Sequence, residues 1–427
     1  MPVNITVTSK PRIVIIGGGF GGIELVKKLK NEDVQVVLLD KNNYHTFQPL
    51  LYQVATGGLE PDSIAYPLRK IFKAQPNLIF RMAEVLSIIP ERNSIETSIG
   101  EITYDYLVIA TGSKTNFWGM EDMKKNAVDM KTIPQSLELR NLVLQSFEKA
   151  LLTVDLEERD SLMTFVVVGG GPTGVETAGA LGELKNHILP RDYLELDMHK
   201  MQIHIVEKEH RLFSAMSQKS SIKGEEFLKR FNVNVWLNTG VVSYDGKTIV
   251  LANGKQLLSQ TVIWAAGVAG ALIPGLQPES TIGNRFKVDH YNRVEGYENI
   301  FAIGDVAAMI TEKNPRGHPM LAPVASQQGK HLAKNLKSLL RKKKIIPFEY
   351  RSLGVMATIG RNRAVVELPF VKFQGFFAWF VWMFVHLMAL VGFRNRVVVF
   401  VNWMWSYFSY DRGLRLIIRP FRRSNGG

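Results

Sequence analysis

Residues 17–22 read Gly-Gly-Gly-Phe-Gly-Gly and residues 169–174 read Gly-Gly-Gly-Pro-Thr-Gly, so one chain carries two glycine-rich turns 152 positions apart. Turns of this kind bring a pyrophosphate onto the N-terminus of a helix, and they work only between a buried parallel strand and that helix. A chain with two of them is constrained to two α/β units. It is also suited to holding two dinucleotides, and for redox chemistry the usual pair is a flavin and a nicotinamide.

The surroundings of the first turn fit. Arg12-Ile13-Val14-Ile15-Ile16 is a short apolar, β-branched run before it, as a buried parallel strand requires. After it, Ile23, Leu25, Val26 and Leu29 interleave with Glu24, Lys27, Lys28 and Lys30, the pattern of a half-buried helix. Gly17 permits the tight turn, Gly19 lets backbone approach phosphate, and Gly22 lets helix and strand pack closely. A second strand, Val34–Leu39, ends at Asp40, whose carboxylate is placed to accept hydrogen bonds from an adenosine ribose.

The second turn repeats the arrangement. Phe165–Val168 leads into Gly169, Gly171 and Gly174, with Pro172 and Thr173 between, and the helix carries Val175, Ala178, Ala180, Leu181 and Leu184. Gln202–Val206 ends at Glu207, delayed by an insertion around residues 186–199. A carboxylate there favours a free 2′-hydroxyl and predicts NADH over NADPH, while Lys208, His210 and Arg211 are the features that would admit the 2′-phosphate. Two further apolar strands end in small residues: Tyr106–Ile109 in Ala110, Thr111 and Gly112, and Val262–Trp264 in Ala265, Ala266 and Gly267. Later, Ile300-Phe301-Ala302-Ile303 delivers Gly304 and Asp305. The ordered set resembles the two-dinucleotide-binding-domain flavoproteins. That resemblance implies two Rossmann-like domains, with the first turn and the Gly304–Asp305 pair holding non-covalent FAD and the second turn holding NADH. By the same resemblance Phe20, Gly21, Lys41 and Val85 join the flavin-binding set.

Composition excludes some relatives. The 427 residues contain no cysteine. Disulfide reductases and sulfide:quinone oxidoreductases need reactive cysteines, and an iron–sulfur cluster needs thiolates. Electrons leaving a flavin here must pass to a diffusible acceptor or a partner protein. The nine histidines show no ligand spacing, so no metal is expected; His204 and His386 sit in apolar runs suited to packing.

The C-terminus points toward lipid. Of the net charge of +13, +7 lies in the last 58 residues, with 16 of the 42 aromatic residues. Phe376–Phe393 is an 18-residue run whose only ionisable member is His386, and Arg394 and Arg396 follow. Arg412, Arg415, Arg419 and Arg422 fall opposite Leu414, Ile417, Ile418 and Phe421 on a helical wheel, which predicts a short amphipathic helix ended or kinked by Pro420. Aromatic, apolar and cationic residues so mixed suit a monotopic segment at an anionic lipid surface. The alternatives are a single span at 376–393, slightly short at ~27 Å, and an oligomer contact. Nucleic acid is not the expected partner, because a phosphate-binding face is rarely so apolar. The first strand begins by Arg12, which leaves no room for a cleavable signal and places the expected location at the cytoplasmic face of the cell membrane. Asp155–Ser161, Asn314–His318 and Arg341–Lys344 read as polar surface connections.

With this tail the resemblance narrows to the type II NADH dehydrogenases, single-subunit NADH:quinone oxidoreductases that do not pump protons. Asn43-Tyr44-His45-Thr46-Phe47-Gln48-Pro49-Leu50-Leu51-Tyr52-Gln53-Val54-Ala55, the segment Gly169–Glu176, and Ala322-Pro323-Val324-Ala325-Ser326-Gln327-Gln328-Gly329 carry it. The resemblance implies an FAD domain at 1–125 and 276–340, a helical connection at 126–160, an NADH domain at 161–275 and a membrane-associated region at 341–427. It further implies hydride transfer from NADH to flavin and two electrons onward to menaquinone or ubiquinone, and it allows a homodimer. One departure stands out: Pro323 replaces a glutamine common in the quinone motif, shifting weight to Gln327 and Gln328. Glu176, near the start of the second helix, is the candidate to orient nicotinamide or relay a proton to quinone; the alternative is an acid favoured by the helix N-terminus. Two other functions remain open at this point. One is a dehydrogenase serving a ferredoxin-type protein acceptor, the other a membrane-docked nucleotide-sensing scaffold.

Overall fold

The computed structural model describes residues 3–410, 413 and 415–418. The chain divides into two compact units, the first made of Met1–His45, Tyr66–Lys114 and Val268–Ser352, the second of Thr46–Ala65, Thr115–Gly267 and Leu353–Gly427.

A 5-stranded sheet organises the first unit, in the order Ile300–Ala302, Tyr106–Ile109, Arg12–Ile16, Gln35–Asp40, Leu78–Met82. All four pairings are parallel, with Ile15 opposite both Leu38 and Val108. Both faces are covered, which is why its strands read as unbroken apolar runs. Ile13 and Ile15 face helices through Leu25, Val26, Leu332 and Leu336. Val14 and Ile16 pack instead toward Ile88, Ile95 and Ile102, which belong to the antiparallel strands Val85–Ile89, Ser94–Thr97 and Gly100–Thr103. Each such side chain, fully buried, contributes roughly 1.5–3 kcal/mol. The helix Ala322–Leu340 lies against the helix Phe20–Lys28 so closely that a Cβ on Gly329 would stand 2.2 Å from the Gly21 carbonyl oxygen. Pro323 sits in the first turn of the longer helix, where its missing N–H leaves no bond unmade.

The second unit repeats the parallel sheet in the order Val128–Asp129, Thr261–Trp264, Thr164–Val168, Gln202–Val206, Val233–Trp236. Its upstream helix, Ile133–Leu152, is followed by a second one, Leu156–Leu162. The segment at 155–161, expected to be a surface connection, is therefore helical: Asp155 caps it by accepting from Glu158 N–H at 2.7 Å. An N-cap acid with glutamate three residues on is a start signal that its high charge obscured.

The last part of this unit is an antiparallel sheet, Val355–Thr358, Ala364–Glu367 and Lys372–Gln374, leading into two helices, Phe376–Ala389 and Phe393–Ser409. The 18-residue apolar run is thus not one helix. It breaks at Leu390, and Gly392, with φ of 88°, reverses the chain. Arg396 Nε donates to the Leu390 carbonyl at 3.0 Å and closes the turn, so this arginine is committed within the protein. The first helix, with 14 residues, is ~21 Å long against a ~30 Å hydrocarbon core. Among the described residues no helix is long and apolar enough to cross a membrane. Asn395, buried in the first turn of the second helix, donates to the carbonyls of Asp62, Ser63 and Ala65 at 3.0–3.1 Å. The amphipathic helix expected over 412–421 lies largely outside the described residues; of it, Gly413 and Arg415–Ile418 are described and carry no helix. Arg415 pairs with Asp192 at 2.5 Å.

Candidate active site

In the first unit the chain leaves the strand Arg12–Ile16 through Gly17 at φ of 110°, where a Cβ would stand 2.2 Å from the Ala110 carbonyl oxygen. Gly22 meets the same constraint from the other side, since a Cβ there would lie 2.0 Å from Gly17 O. A Cβ at Gly19, by contrast, would touch nothing within 4 Å. Gly19 caps the helix Phe20–Lys28 without any side-chain hydrogen bond, so first-turn N–H groups face open space where an anion fits. Asp40 Oδ2 accepts from Gly18 N–H at 2.6 Å and Oδ1 from Asn42 N–H at 2.7 Å, leaving lone pairs on both oxygens for ribose hydroxyls. Burial raises the Asp40 pKa above the ordinary carboxylate value, the Asn42 and Gly18 N–H groups pulling against it. His45 Nδ1 lies 3.1 Å from Gly18 O, and burial lowers its pKa to about 4, keeping it neutral. These residues fit a dinucleotide.

The other first-unit candidates gather at the same sheet end. Thr111 Oγ1 donates to Ala271 O at 2.7 Å, and Gly112, at φ of 72°, is open on its Cβ side. Gly304 follows the strand Ile300–Ala302, and Asp305 accepts from Ser113 Oγ at 2.5 Å. Gln328, 1% exposed, accepts through Oε1 from Gly304 N–H at 2.7 Å. It thereby holds the backbone beside Asp305. Gln327 is clamped at both ends of its amide, donating to Arg351 O at 2.9 Å and accepting from Arg351 N–H at 3.1 Å. Lys41 pairs with Glu84 at 2.5 Å on the exposed rim, and Val85 opens the strand that follows.

The second turn superimposes in its logic. Gly169 has φ of 113°, a Cβ on Gly174 would stand 1.9 Å from Gly169 O, and a Cβ on Gly171 would meet nothing within 4 Å. Glu207 accepts from Gly170 N–H through Oε2 and from Glu209 N–H through Oε1 at 2.8 Å. Arg211 is turned to Ser214 O at 2.8 Å. Pro172 and Thr173 are exposed, and Gly267 presses on the indole of Trp118, which donates to Ala266 O at 2.9 Å.

Glu176 sits one turn into the helix Pro172–Glu183 and is buried. Burial lifts its pKa to about 8 against the pull of the Thr358 N–H, 3.3 Å from Oε1, and of the Trp382 indole, a buried donor with no other partner. At neutral pH the carboxyl is therefore protonated. It lines a cavity of about 90 Å³ with Tyr52, Gln53, Thr358, Trp382 and Trp403. Trp403 Nε1 donates to Gln53 Oε1 at 2.8 Å, and Gln53 Nε2 to Tyr52 Oη at 2.8 Å. His386 stacks on Trp382 at 4.2 Å and contacts its carbonyl at 2.8 Å; burial lowers its pKa to about 4. A slot walled by aromatic rings, with the Glu176 carboxyl on one side and Glu183 and Arg361 at its edge, suits a flat apolar ring that must take up protons.

Residues 11–329 match the family model for pyridine nucleotide-disulphide oxidoreductases, and residues 353–409 match the model described as the NDH2 C-terminal domain. The type II NADH:quinone oxidoreductase NdhA of Mycobacterium tuberculosis is 35% identical, over 95% of this chain and 89% of that protein. The chain belongs to the type II NADH:quinone oxidoreductases. A second M. tuberculosis member, Ndh, is 34% identical over 94% of this chain and 89% of its own length. Among solved structures, NDH2 of Plasmodium falciparum in complex with NADH shares the fold at a TM-score of 0.88 and 24% identity, covering 96% of this chain and 100% of that one. The sulfide:quinone oxidoreductase of Aquifex aeolicus shares it at 0.70 and 22%, covering 96% of each. That likeness is of fold alone; this family member has no cysteine.

Trp382 and Trp403 are not among the site residues expected from sequence, where the aromatic tail reads chiefly as a lipid-surface segment. The signal lay in the spacing. Ala378, Trp382 and His386 recur every fourth residue and turn inward, whereas Phe376, Phe377, Phe380 and Phe384 are 53–64% exposed.

Proposed function

We propose that the chain carries a hydride from NADH to FAD and passes two electrons on to a membrane quinone, with no proton pumping. FAD, when bound, supplies the chemistry that joins a two-electron donor to a quinone acceptor. The first unit, with Gly17, Gly19, Gly22, Asp40 and the Gly304–Asp305 pair, holds FAD. Gln328 supports that role by fixing the Gly304 N–H. The second unit, with Gly169, Gly171, Gly174 and Glu207, receives NADH. Engagement of both Glu207 oxygens beside the turn supports preference for a free 2′-hydroxyl. Glu176 holds the proton that quinone reduction consumes, and its neutral state at pH 7 supports this. Gln327, with both amide ends on Arg351, positions backbone next to Gln328, and contact of either glutamine with quinone belongs to the same reading. The outward aromatic face of the helical hairpin lies on an anionic lipid surface, as a monotopic attachment in a homodimer or monomer.

One observation carries the reading: a carboxyl buried among aromatic rings, where desolvation favours its protonated form, within the unit that also bears a dinucleotide turn. Purified protein bleached by NADH and recoloured by menaquinone or ubiquinone supports it. Bleached protein that only a ferredoxin-type carrier recolours defeats it, and so does protein that NADH never bleaches.

A further inference from the structure

A second cavity in the second unit, about 540 Å³, shares Glu183, Arg361 and Tyr410 with the slot around Glu176. It is lined also by Lys223, Arg230, Arg363 and His187. Four permanent cations thus surround one carboxylate, and Oε1 of that Glu183 already accepts from the Arg361 backbone N–H. The guanidinium groups are held in place by rings. Arg361 lies 3.4 Å over Tyr410 and donates to Ser406 O, Arg363 lies 4.4 Å over Phe231, and Arg230 5.9 Å over Phe227. Among the described residues none of these three arginines forms an ion pair, whereas Lys223 has Glu226 at 2.7 Å. Burial lowers the His187 pKa; the Glu183 carboxylate pulls the other way, and Arg361, Arg191 and Arg363 add to the lowering. Such a cluster is short of negative charge, and planar forks prearranged on rings suit phosphate.

The rim decides which phosphate. Gly375, on the lining, leads directly into Phe376 and Phe377, which are 58% and 64% exposed. Tyr410, on the lining too, closes the helix that carries Phe408, 77% exposed. Cationic cavity and apolar face are therefore continuous, and one molecule satisfies both. A free phosphate ion would use only the cations.

We propose that this cavity binds the phosphate of one anionic glycerophospholipid headgroup per chain, through Arg230, Arg361 and Arg363, with the acyl chains laid along Phe376, Phe377 and Phe408. The proposal rests on the reading of the hairpin as lipid-facing, and it adds a stoichiometric site to a diffuse attraction. Of the described tail arginines, Arg396 and Arg415 are engaged elsewhere.

The test uses the full-length flavoprotein in detergent, with native mass spectrometry counting retained phosphatidylglycerol against phosphatidylcholine. The wild type is expected to keep one phosphatidylglycerol in preference to phosphatidylcholine. Arg230→Gln/Arg363→Gln should weaken that retention roughly 30-fold, two charges near an anionic headgroup being removed. The single change Arg230→Gln, at an exposed position, should weaken it about fivefold and guards against misfolding, which flavin content also reports. Lys229→Gln, on the same helix but paired with Glu225 at 2.7 Å, should change nothing. Equal retention of the two lipids by wild type, or unchanged retention by both arginine variants, overturns the proposal. Full displacement of the lipid by inorganic phosphate at equal concentration would assign a free-ion site and overturn it as well. Flotation with pure phosphatidylcholine vesicles reports the hairpin separately: failure there sinks the lipid-facing reading, while the headgroup count in detergent still stands or falls by itself.

Discussion

A Cβ on Gly22 would stand 2.0 Å from Gly17 O, and a Cβ on Gly174 would stand 1.9 Å from Gly169 O. The acid partners match too, Asp40 accepting from Gly18 N–H and Glu207 from Gly170 N–H. What differs is the setting of the two turns. In the first unit a long helix lies across the turn's own helix, and its Gln328 clamps the Gly304 N–H. Phe20, first in that helix, is half-buried. In the second unit the corresponding positions, Pro172 and Thr173, are exposed, and the helix continues as a π-turn over Leu184–Ile188. A turn closed from behind suits a cofactor that stays, and an exposed one suits a co-substrate that comes and goes. The same fingerprint is thus set in surroundings that suit retention in one place and exchange in the other.

The sharpest way to break this comparison is to damage each turn in turn. Gly22→Val drives a side chain into Gly17 O and should yield protein with almost no flavin, read from visible absorbance per chain. Gly174→Val should leave the protein yellow yet lower NADH-driven bleaching at least about 10²-fold, an effect on the order of 3 kcal/mol. Equal flavin loss in both would erase the distinction. Next in size is Glu176→Gln, which keeps shape and hydrogen bonding but removes the proton supply. Quinone turnover should fall about 10²-fold while NADH still bleaches the protein, and an unchanged rate removes the role. Glu207→Gln should narrow the NADH-over-NADPH ratio of kcat/KM roughly tenfold, whereas an unaltered ratio transfers discrimination to other residues.

A further effect concerns stability rather than activity. The Glu176 carboxyl has a folded pKa of about 8 against an ordinary 4.5. Between those values the native state binds the proton that the unfolded state has released, so stability falls as pH rises. The slope approaches 1.4 kcal/mol per pH unit at most, discounted for local relaxation, and flattens above about pH 8. Urea midpoints from pH 5 to 8 should therefore fall more steeply for wild type than for Glu176→Gln. Parallel curves would mean that the carboxyl is ionised in the folded protein.

Much of the framework around the two turns is legible residue by residue. The strands Arg12–Ile16 and Gln202–Val206 fall where their apolar runs lie, because a strand buried on both faces must be apolar throughout. The segment 155–161 reads as a loop because its charge masks the cap that Asp155 supplies to a helix. The apolar run at 376–393 was read whole because hydropathy is nearly uniform along it, and Gly392 alone marks the reversal. Arg396 reads in the sequence as a lipid-surface cation, yet it closes that reversal, and Asn395 beside it gathers three carbonyls.

By itself the sequence determined what depends on neighbours along the chain: two glycine turns, their strands, their terminal acids, the lack of thiols and the crowding of aromatic and basic residues at one end. Tertiary structure alone decided what depends on desolvation and on distant partners. It buries Glu176 under Thr358 and Trp382, almost two hundred positions on, so that a carboxyl stays protonated at neutral pH. It also turns one face of the aromatic hairpin inward, and sets Arg363 and Arg230 around a common cavity. Burial and field strength are sums over every neighbour in space, and no local pattern in the chain contains that sum.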